Sequence, residues 1–340
     1  MSVGLEKLKK NLLSKEDALE KVSQYESCEE MVFSGKVQFQ EHPNKGDHYL
    51  MNYRGKEYEV GLDAFIKLNR LLGIPHTYVR KVPSNLLFPH LVYWLSVGDK
   101  EVKGFIKKTT GADRISGFAR PDAYYYPISR IFSVVDKVQS GYLVEGLEDV
   151  SWRNSTFGLV FPDHVFDIND KDAKKGDILY GGVKIRNSLL GEFPFRISAF
   201  LLTLACLNGM TSIDEVYTYN RKSGFDGQDD WIEDGINNAV VALNAEVEKV
   251  RNLTEQKISN EDIPPYITHV FDQMNVNRKA REAILNKVVE KNPKNLYQLM
   301  NAVTSVTHTY ENRNEVYDLQ RIGGFLASHT ERCARCKRPF

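Results

Sequence analysis

The sequence predicts an α+β protein, with antiparallel, strand-rich N-terminal and middle regions covered by a C-terminal helical region. Two observations carry that expectation. Between Met31 and Ser198 most apolar runs are short, rich in β-branched or aromatic residues, and broken by turn clusters. From Gln228 onward the apolar period becomes helical and stays so. Strands first and helices afterwards, without regular alternation, argue against a doubly wound parallel sheet.

Element by element, Leu5, Leu8 and Leu12 recur at helical spacing, and Ser14 with Asp17 three residues later caps a second helix through Ala18, Leu19 and Val22. Met31 to Gln40, Asp47 to Tyr53 and Glu57 to Val60 read as strands, with Arg54-Gly55-Lys56 as a hairpin turn. A helix follows from Leu62 to Leu72, ended by Gly73 and kept from continuing by Pro75, and a shorter one spans Asn85 to Leu95.

In the middle third the strand candidates are Val102 to Lys108, Arg114 to Arg120, Tyr142 to Trp152, Ser155 to Phe161, Ile178 to Arg186 and Phe193 to Ser198. One helix, Ile128 to Val138, interrupts them. Ile232, Ile236, Ala239, Val240, Leu243, Val247 and Val250 then form the stripe of a long amphipathic helix. Further helices fit Tyr266 to Met274, Arg278 to Glu290, Leu296 to His308 and Glu315 to Ala327, with Asn277 and Asn295 as caps of the second and third. The expected organisation is an α+β region over 1–225, a helical region over 226–328 packed on it, and a basic, cysteine-containing tail over 329–340.

Composition narrows the function classes. The 340 residues carry 45 basic and 45 acidic side chains, so bulk charge draws the chain to no polyanion and any anion site is a local patch. No apolar run approaches the ~18 residues of a membrane span, and Met1 to Lys10 lacks the pattern of a secretory signal. With 4 cysteines, two of them distant singletons, a disulfide framework is not expected and a reducing compartment fits.

No phosphate-binding glycine loop, H-E-x-x-H zinc helix or G-x-S-x-G elbow occurs. The acidic stretch Asp167 to Asp177 lacks the glycine and closing glutamate of a calcium loop and reads as a solvated turn. Asp163-His164 are strand neighbours that point to opposite faces, and no catalytic residue is assigned. Cys206, inside an apolar run, reads as a buried thiol.

The richest local signal lies between Lys100 and Arg130. Strand alternation there places Lys103, Phe105 and Lys107 on one face, joined across the hairpin by Arg114, Ser116, Phe118 and Arg120. Val102, Gly104, Ile106, Ile115, Gly117 and Ala119 line the reverse, and Tyr124, Tyr125 and Tyr126 follow at once. Cations interleaved with rings suit single-stranded nucleic acid, because lysine and arginine neutralise phosphates while rings stack on bases. The same pattern also suits a solvated or subunit-facing hairpin, whose lysines blunt edge pairing. A second basic stretch, Arg278 to Lys294, reads as a wet helix face.

The chain ends with His329, Cys333 and Cys336 in a basic setting. A C-x-x-C pair with a nearby histidine offers three ligands to a structural zinc, which takes four. His308 or a neighbouring subunit would supply the fourth. The alternative is a tail with two free thiols and no cofactor.

Leu72-Gly73-Ile74-Pro75 with Tyr78, Arg80 and Lys81, Asn187-Ser188 with Gly191, Cys206-Leu207-Asn208-Gly209, and Asn301-Ala302 with Thr304 recur in an order and spacing that resembles a family of uncharacterised phage and plasmid proteins, the "phage/plasmid-like proteins". The likeness runs from about Gly55 to Ala327. It departs where Leu204-Ala205 stands in place of the family's usual basic residue. The resemblance brings no catalytic residue and implies a mobile-element setting in a bacterial cytoplasm. Together these readings lead to a non-enzymatic nucleic-acid-binding protein, acting on single strands in replication or recombination, with a homo-oligomer among the expected partners. The alternative is a protein-interaction module such as an inhibitor of a host defence complex.

Overall fold

The computed structural model describes residues 2–26, 28–46, 48–97, 100–122, 126–147, 154–169, 177–188, 194–204, 209–211, 217–219, 229–310 and 313–328. Its class is α+β, with two antiparallel-rich sheets ahead of a helical C-terminal region.

Two helices open the chain, α1 (Ser2–Asn11) and α2 (Lys15–Glu26). Ser14 Oγ accepts from the Asp17 amide at 3.1 Å, the cap its sequence predicts. The first sheet comprises β1 (Glu29–Phe33), β2 (Val37–Glu41), β3 (His48–Tyr53), β4 (Lys56–Gly61), β5 (Val102–Lys107) and β6 (Asp113–Ala119). Its strand order is β1-β5-β6-β4-β3-β2, and only the β4–β6 pairing is parallel. β3 and β4 are joined through Arg54 (φ 54°) and Gly55 (φ 79°), the left-handed pair of a tight hairpin whose twist matches the strands.

Three helices lie between β4 and β5: α3 (Leu62–Leu71), α4 (His76–Lys81) and α5 (Ser84–Val97). Gly73, at φ 83°, follows the end of α3 as expected. Ala64, Phe65 and Leu68 of α3 and Leu87, Leu91 and Leu95 of α5 share a core with Phe33, Tyr58, Val60, Ile106, Ile115 and Phe118.

After β6 come α6 (Ile128–Val138), β7 (Leu143–Glu145), β8 (Asn154–Ile168), β9 (Asp177–Ser188), β10 (Phe195–Thr203), β11 (Gly209–Thr211) and β12 (Tyr217–Tyr219). They build a second sheet in the order β11-β10-β9-β8-β7, with β12 also pairing β10. The rest is helical: α7 (Asp230–Glu255), α8 (Ile263–Gln273), α9 (Arg278–Lys291), α10 (Leu296–Thr304), a 3-10 turn (Ser305–Thr309) and α11 (Arg313–Ser328). Asn277 Oδ1 accepts from the Ala280 amide at 2.9 Å and Asn295 Oδ1 from the Gln298 amide at 2.8 Å, so both expected caps form.

One face of the second sheet, with Phe157, Leu159, Phe161, Val183, Ile185 and Ile197, packs against α2, α6 and the start of α7. Farther along, Leu179, Ala199, Leu201 and Met210 meet the end of α7 and helices α8 to α11. Strands β8 and β9 approach closely at Gly182, where a Cβ would stand 2.0 Å from the Leu159 carbonyl oxygen. On the opposite face Leu8 of α1 joins Leu143, Val160, Tyr180, Phe200 and Leu202.

The strand region expected over 1–225 therefore divides at about residue 120 into two sheets with separate cores. The C-terminal helices cover the second sheet, and α1 and α2 belong to that unit as well. Alternation alone assigns strands to faces, and nothing in it tells which strands share a sheet. Among the described residues, no helix is long and apolar enough to cross a membrane.

Candidate functional site

The hairpin that the sequence singles out is present as β5 and β6, but its faces differ from simple alternation. Phe105 pairs with Gly117 and Ile106 with Ile115, which leaves Ser116 as an extra residue in β6. This bulge re-aims the residues after it. Phe118 turns inward, fully buried beside Ile115, with its ring 6.1 Å from that of Phe33. Gly104, opposite Phe118, has no side chain for a physical reason: a Cβ there would sit 2.4 Å from Phe33 Cε2.

The expected display of rings is thus corrected. Phe105 keeps the face of Lys103 and Lys107 but is only 4% exposed. Tyr126 is 1% exposed, held by a hydrogen bond from its hydroxyl to Asp229 and by Trp231, whose ring centroid lies 5.6 Å away. Arg130 Nε also reaches Asp229 Oδ1, at 2.7 Å. Tyr124 and Tyr125 lie outside the described residues. Burial removes Phe105, Phe118 and Tyr126 from base stacking, because a stacked base needs an open ring face.

Of the hairpin cations, Lys103 meets Glu30 at 3.0 Å and Arg120 forms a two-pronged pair with Asp122 at 3.0 and 2.7 Å. Lys107 is half-buried, and its charge acts on the Cys28 thiol, which burial nonetheless pushes up to about 11. Arg114 is exposed, with its guanidinium lying over Gly61. At the turn end of the hairpin Asp113 takes Lys56 at 2.6 Å and Lys108 at 3.2 Å, and Lys108 also reaches Glu29 at 2.9 Å.

The basic face of α9 is likewise engaged. Arg278 meets Glu282 at 2.8 Å, Arg281 meets Asp272 at 3.1 Å and Lys287 meets Glu290 at 2.7 Å. His329, Cys333 and Cys336 lie outside the described residues, as does Cys206. Among the described residues, no group of metal-ligating side chains forms a cluster.

A different surface gathers cations more tightly. Arg186 of β9 and Arg196 of β10 are direct cross-strand partners, so both project from the sheet face opposite α7. Helix α11 packs against the edge strand β11, with Gly323 against Met210 on one side and Gln320 against Gly209 on the other. That placement carries Tyr317 to the arginines. Its ring holds the Arg186 guanidinium at 5.0 Å and that of Arg321 at 5.9 Å. Arg186, Arg196 and Arg321 all act on the carboxyl of Asp318.

The electrostatics of this cluster are unusual for a surface. Desolvation draws the Arg186 guanidinium below its ordinary value, reinforced by Arg196 and Arg321 and opposed by Asp318 and Tyr317. Desolvation also pushes the Asp318 carboxyl up, against the pull of the arginines. Near them Ser198 Oγ and Tyr317 OH, on residues at most 1% exposed, have no hydrogen-bond partner among the described residues; the same holds farther along the sheet for Thr211 Oγ1, opposite Phe200, and Gln320 Oε1, beside Gly209. One row along the sheet, Lys184 is paired with Glu145 over the Phe200 ring.

Like charges directly opposed across a ladder destabilise it, and buried polar atoms are ordinarily satisfied. Both departures occur in one place, and guanidinium forks beside hydroxyl donors match the oxygens of a phosphate. Sequence reading missed this cluster because its members belong to three separate elements. The available signal was an arginine near the adjoining ends of two neighbouring strand candidates, Ile178 to Arg186 and Phe193 to Ser198. Compared with protein-family models, with curated proteins and with solved structures, the chain finds no match.

Proposed function

We propose that this protein is a nucleic-acid-binding protein that acts by binding rather than by catalysis and grips phosphates at Arg186, Arg196 and Arg321. The observation that supports the reading most is the cross-strand pair Arg186–Arg196 with Arg321 drawn in by the shared Tyr317 ring. Arg114, exposed on the first sheet, supplies a further phosphate contact from the original hairpin. The resemblance to phage and plasmid proteins fits a role on single strands in a bacterial cytoplasm, and a zinc-binding tail remains part of the proposal for 329–340.

The test is titration of single- and double-stranded oligonucleotides at two salt concentrations. Expected are binding that weakens steeply with salt and a shallower salt slope in Arg196→Gln/Arg321→Gln. Absence of binding even in dilute buffer overturns the reading.

One observation favours a second reading, a protein-interaction module directed at a host complex. Helix α5 carries no charged side chain, and its outer face exposes Leu86 at 56%, Tyr93 at 55% and Trp94 at 40%. Exposed aromatic anchors are typical of binding hot spots. Discrete partners that co-purify after nuclease treatment and vanish with Tyr93→Ala/Trp94→Ala would establish it.

A further inference from the structure

We propose that a cleft at the end of the first sheet binds an adenine nucleotide, free or as one unit of a strand. The inference goes beyond the reading above, because it stands on other residues than the arginine cluster.

The cleft has a volume of about 430 Å³ and lies between the β1–β2 turn and the β3–β4 hairpin. Small-molecule sites ordinarily measure roughly 300–1,000 Å³. Its polar lining comes from Ser34, Lys36, Gln38, Asn52 and Arg54. Strand alternation brings these side chains together. Val37 and Tyr53 face each other across β2 and β3 and are buried in the core, so Gln38 and Asn52, the next pair, turn to the opposite face. Lys36 and Arg54 stand one position beyond the Val37–Tyr53 pair and complete the group.

Two observations point to an anion with a hydrogen-bonding body. The first is charge. No lining residue is acidic, and neither Lys36 nor Arg54 has a carboxylate partner among the described residues. Glu57, opposite Asn52 in β4, lies outside the lining and accepts from Gln40 Nε2 at 3.1 Å. Arg54 rests over the Tyr53 ring, 5.0 Å from its centroid, at a left-handed turn position (φ 54°) that asparagine or glycine ordinarily fills. The turn has no use for a guanidinium there, whereas a phosphate does.

The second observation is the amide pair. Gln38 and Asn52 are direct cross-strand partners, and neither side chain makes a hydrogen bond among the described residues. A side-chain amide offers a donor and an acceptor side by side, the complement of adenine N6 and N7. Lys36 and Arg54 thus take the phosphate while Gln38 and Asn52 take the base.

The experiment titrates adenosine monophosphate into the full chain by isothermal titration calorimetry, with adenosine and ribose 5-phosphate as the two halves of the ligand. Each half is expected to bind about tenfold or more weakly than the whole. Lys36→Gln/Arg54→Asn is expected to weaken nucleotide binding at least about tenfold. Asparagine suits the left-handed turn, so the hairpin is kept. Arg186→Gln/Arg196→Gln is expected to bind the nucleotide as the wild type does. A labelled single-stranded oligoadenylate that the nucleotide displaces identifies the strand as the source, and one that it leaves bound identifies the free nucleotide. Unchanged affinity in Lys36→Gln/Arg54→Asn, or ribose 5-phosphate bound as tightly as the nucleotide, overturns the inference. Absence of nucleotide binding overturns it too, and strand binding that persists then leaves the nucleic-acid reading intact. A nucleotide bound where no oligonucleotide binds overturns that reading alone.

Discussion

Arg186 and Arg196 face each other directly across β9 and β10, two guanidiniums on one face of a sheet. Adjacent strands ordinarily oppose unlike charges or apolar groups, and a like pair costs roughly 0.2–1 kcal/mol. The pair therefore sets positive charge side by side at some expense to the ladder; the Asp318 carboxyl offsets part of that cost, and a bound phosphate would offset more.

Ligand linkage checks this directly. Inorganic phosphate at millimolar concentration is expected to raise the melting temperature of the wild-type protein, because a ligand that binds only the folded state stabilises it. Arg186→Gln/Arg196→Gln should melt at the same temperature with and without phosphate. A matched shift in that variant, followed by differential scanning fluorimetry, removes the cluster as the site.

The Lys184–Glu145 pair makes a second case. Lys184 is 2% exposed and its partner 14%. Lys184→Met is expected to cost roughly 3–5 kcal/mol in urea denaturation, since the carboxylate is then left in the sheet without its cation. Adding Glu145→Leu should restore most of the loss. A single variant as stable as the wild type would contradict the burial assigned to the pair.

Gly182 marks a contact that leaves no room for a side chain. A methyl there meets a main-chain oxygen, which has no rotamer by which to move aside. Gly182→Ala is expected to lose at least the ~1–3 kcal/mol typical of overpacking, read from the shift in urea midpoint.

Acid stability reports on the first sheet. The hydrogen bond from Lys56, with help from Lys108, holds the Asp113 carboxyl below its ordinary value of 3.8. A lowered folded-state value stabilises at pH above 3.8, and that contribution disappears as the pH falls through the folded value. Wild type should therefore exceed Asp113→Asn in stability at neutral pH and converge with it under acid. Parallel stability curves across that window would count against the ion pair.

What could be read from sequence divides along physical lines. The Ser14, Asn277 and Asn295 caps, the Arg54–Gly55 turn and the long stripe of α7 were all legible, because each depends on residues within a few positions of one another. The hairpin strands were legible too, yet the fate of Phe118 was not. A bulge at Ser116 is decided by how β5 and β6 register together and by the room the Phe33 ring needs, and neither is written in either strand alone. The arginine cluster lay further out of reach. Arg321 stands more than a hundred positions beyond Arg196, and only the packing of α11 on β11 brings them to one ring.

Helices α1 and α2 precede the first sheet in the chain, yet the strands and helices that bury Leu8, Ala18 and Val22 all follow it. The 29–119 unit holds its own core and can close while still tethered, whereas the opening helices must wait for partners that emerge later. Synthesis in chain order thus lets the first sheet close before the second, and the arginine cluster, which needs α11, assembles only after both sheets have been made.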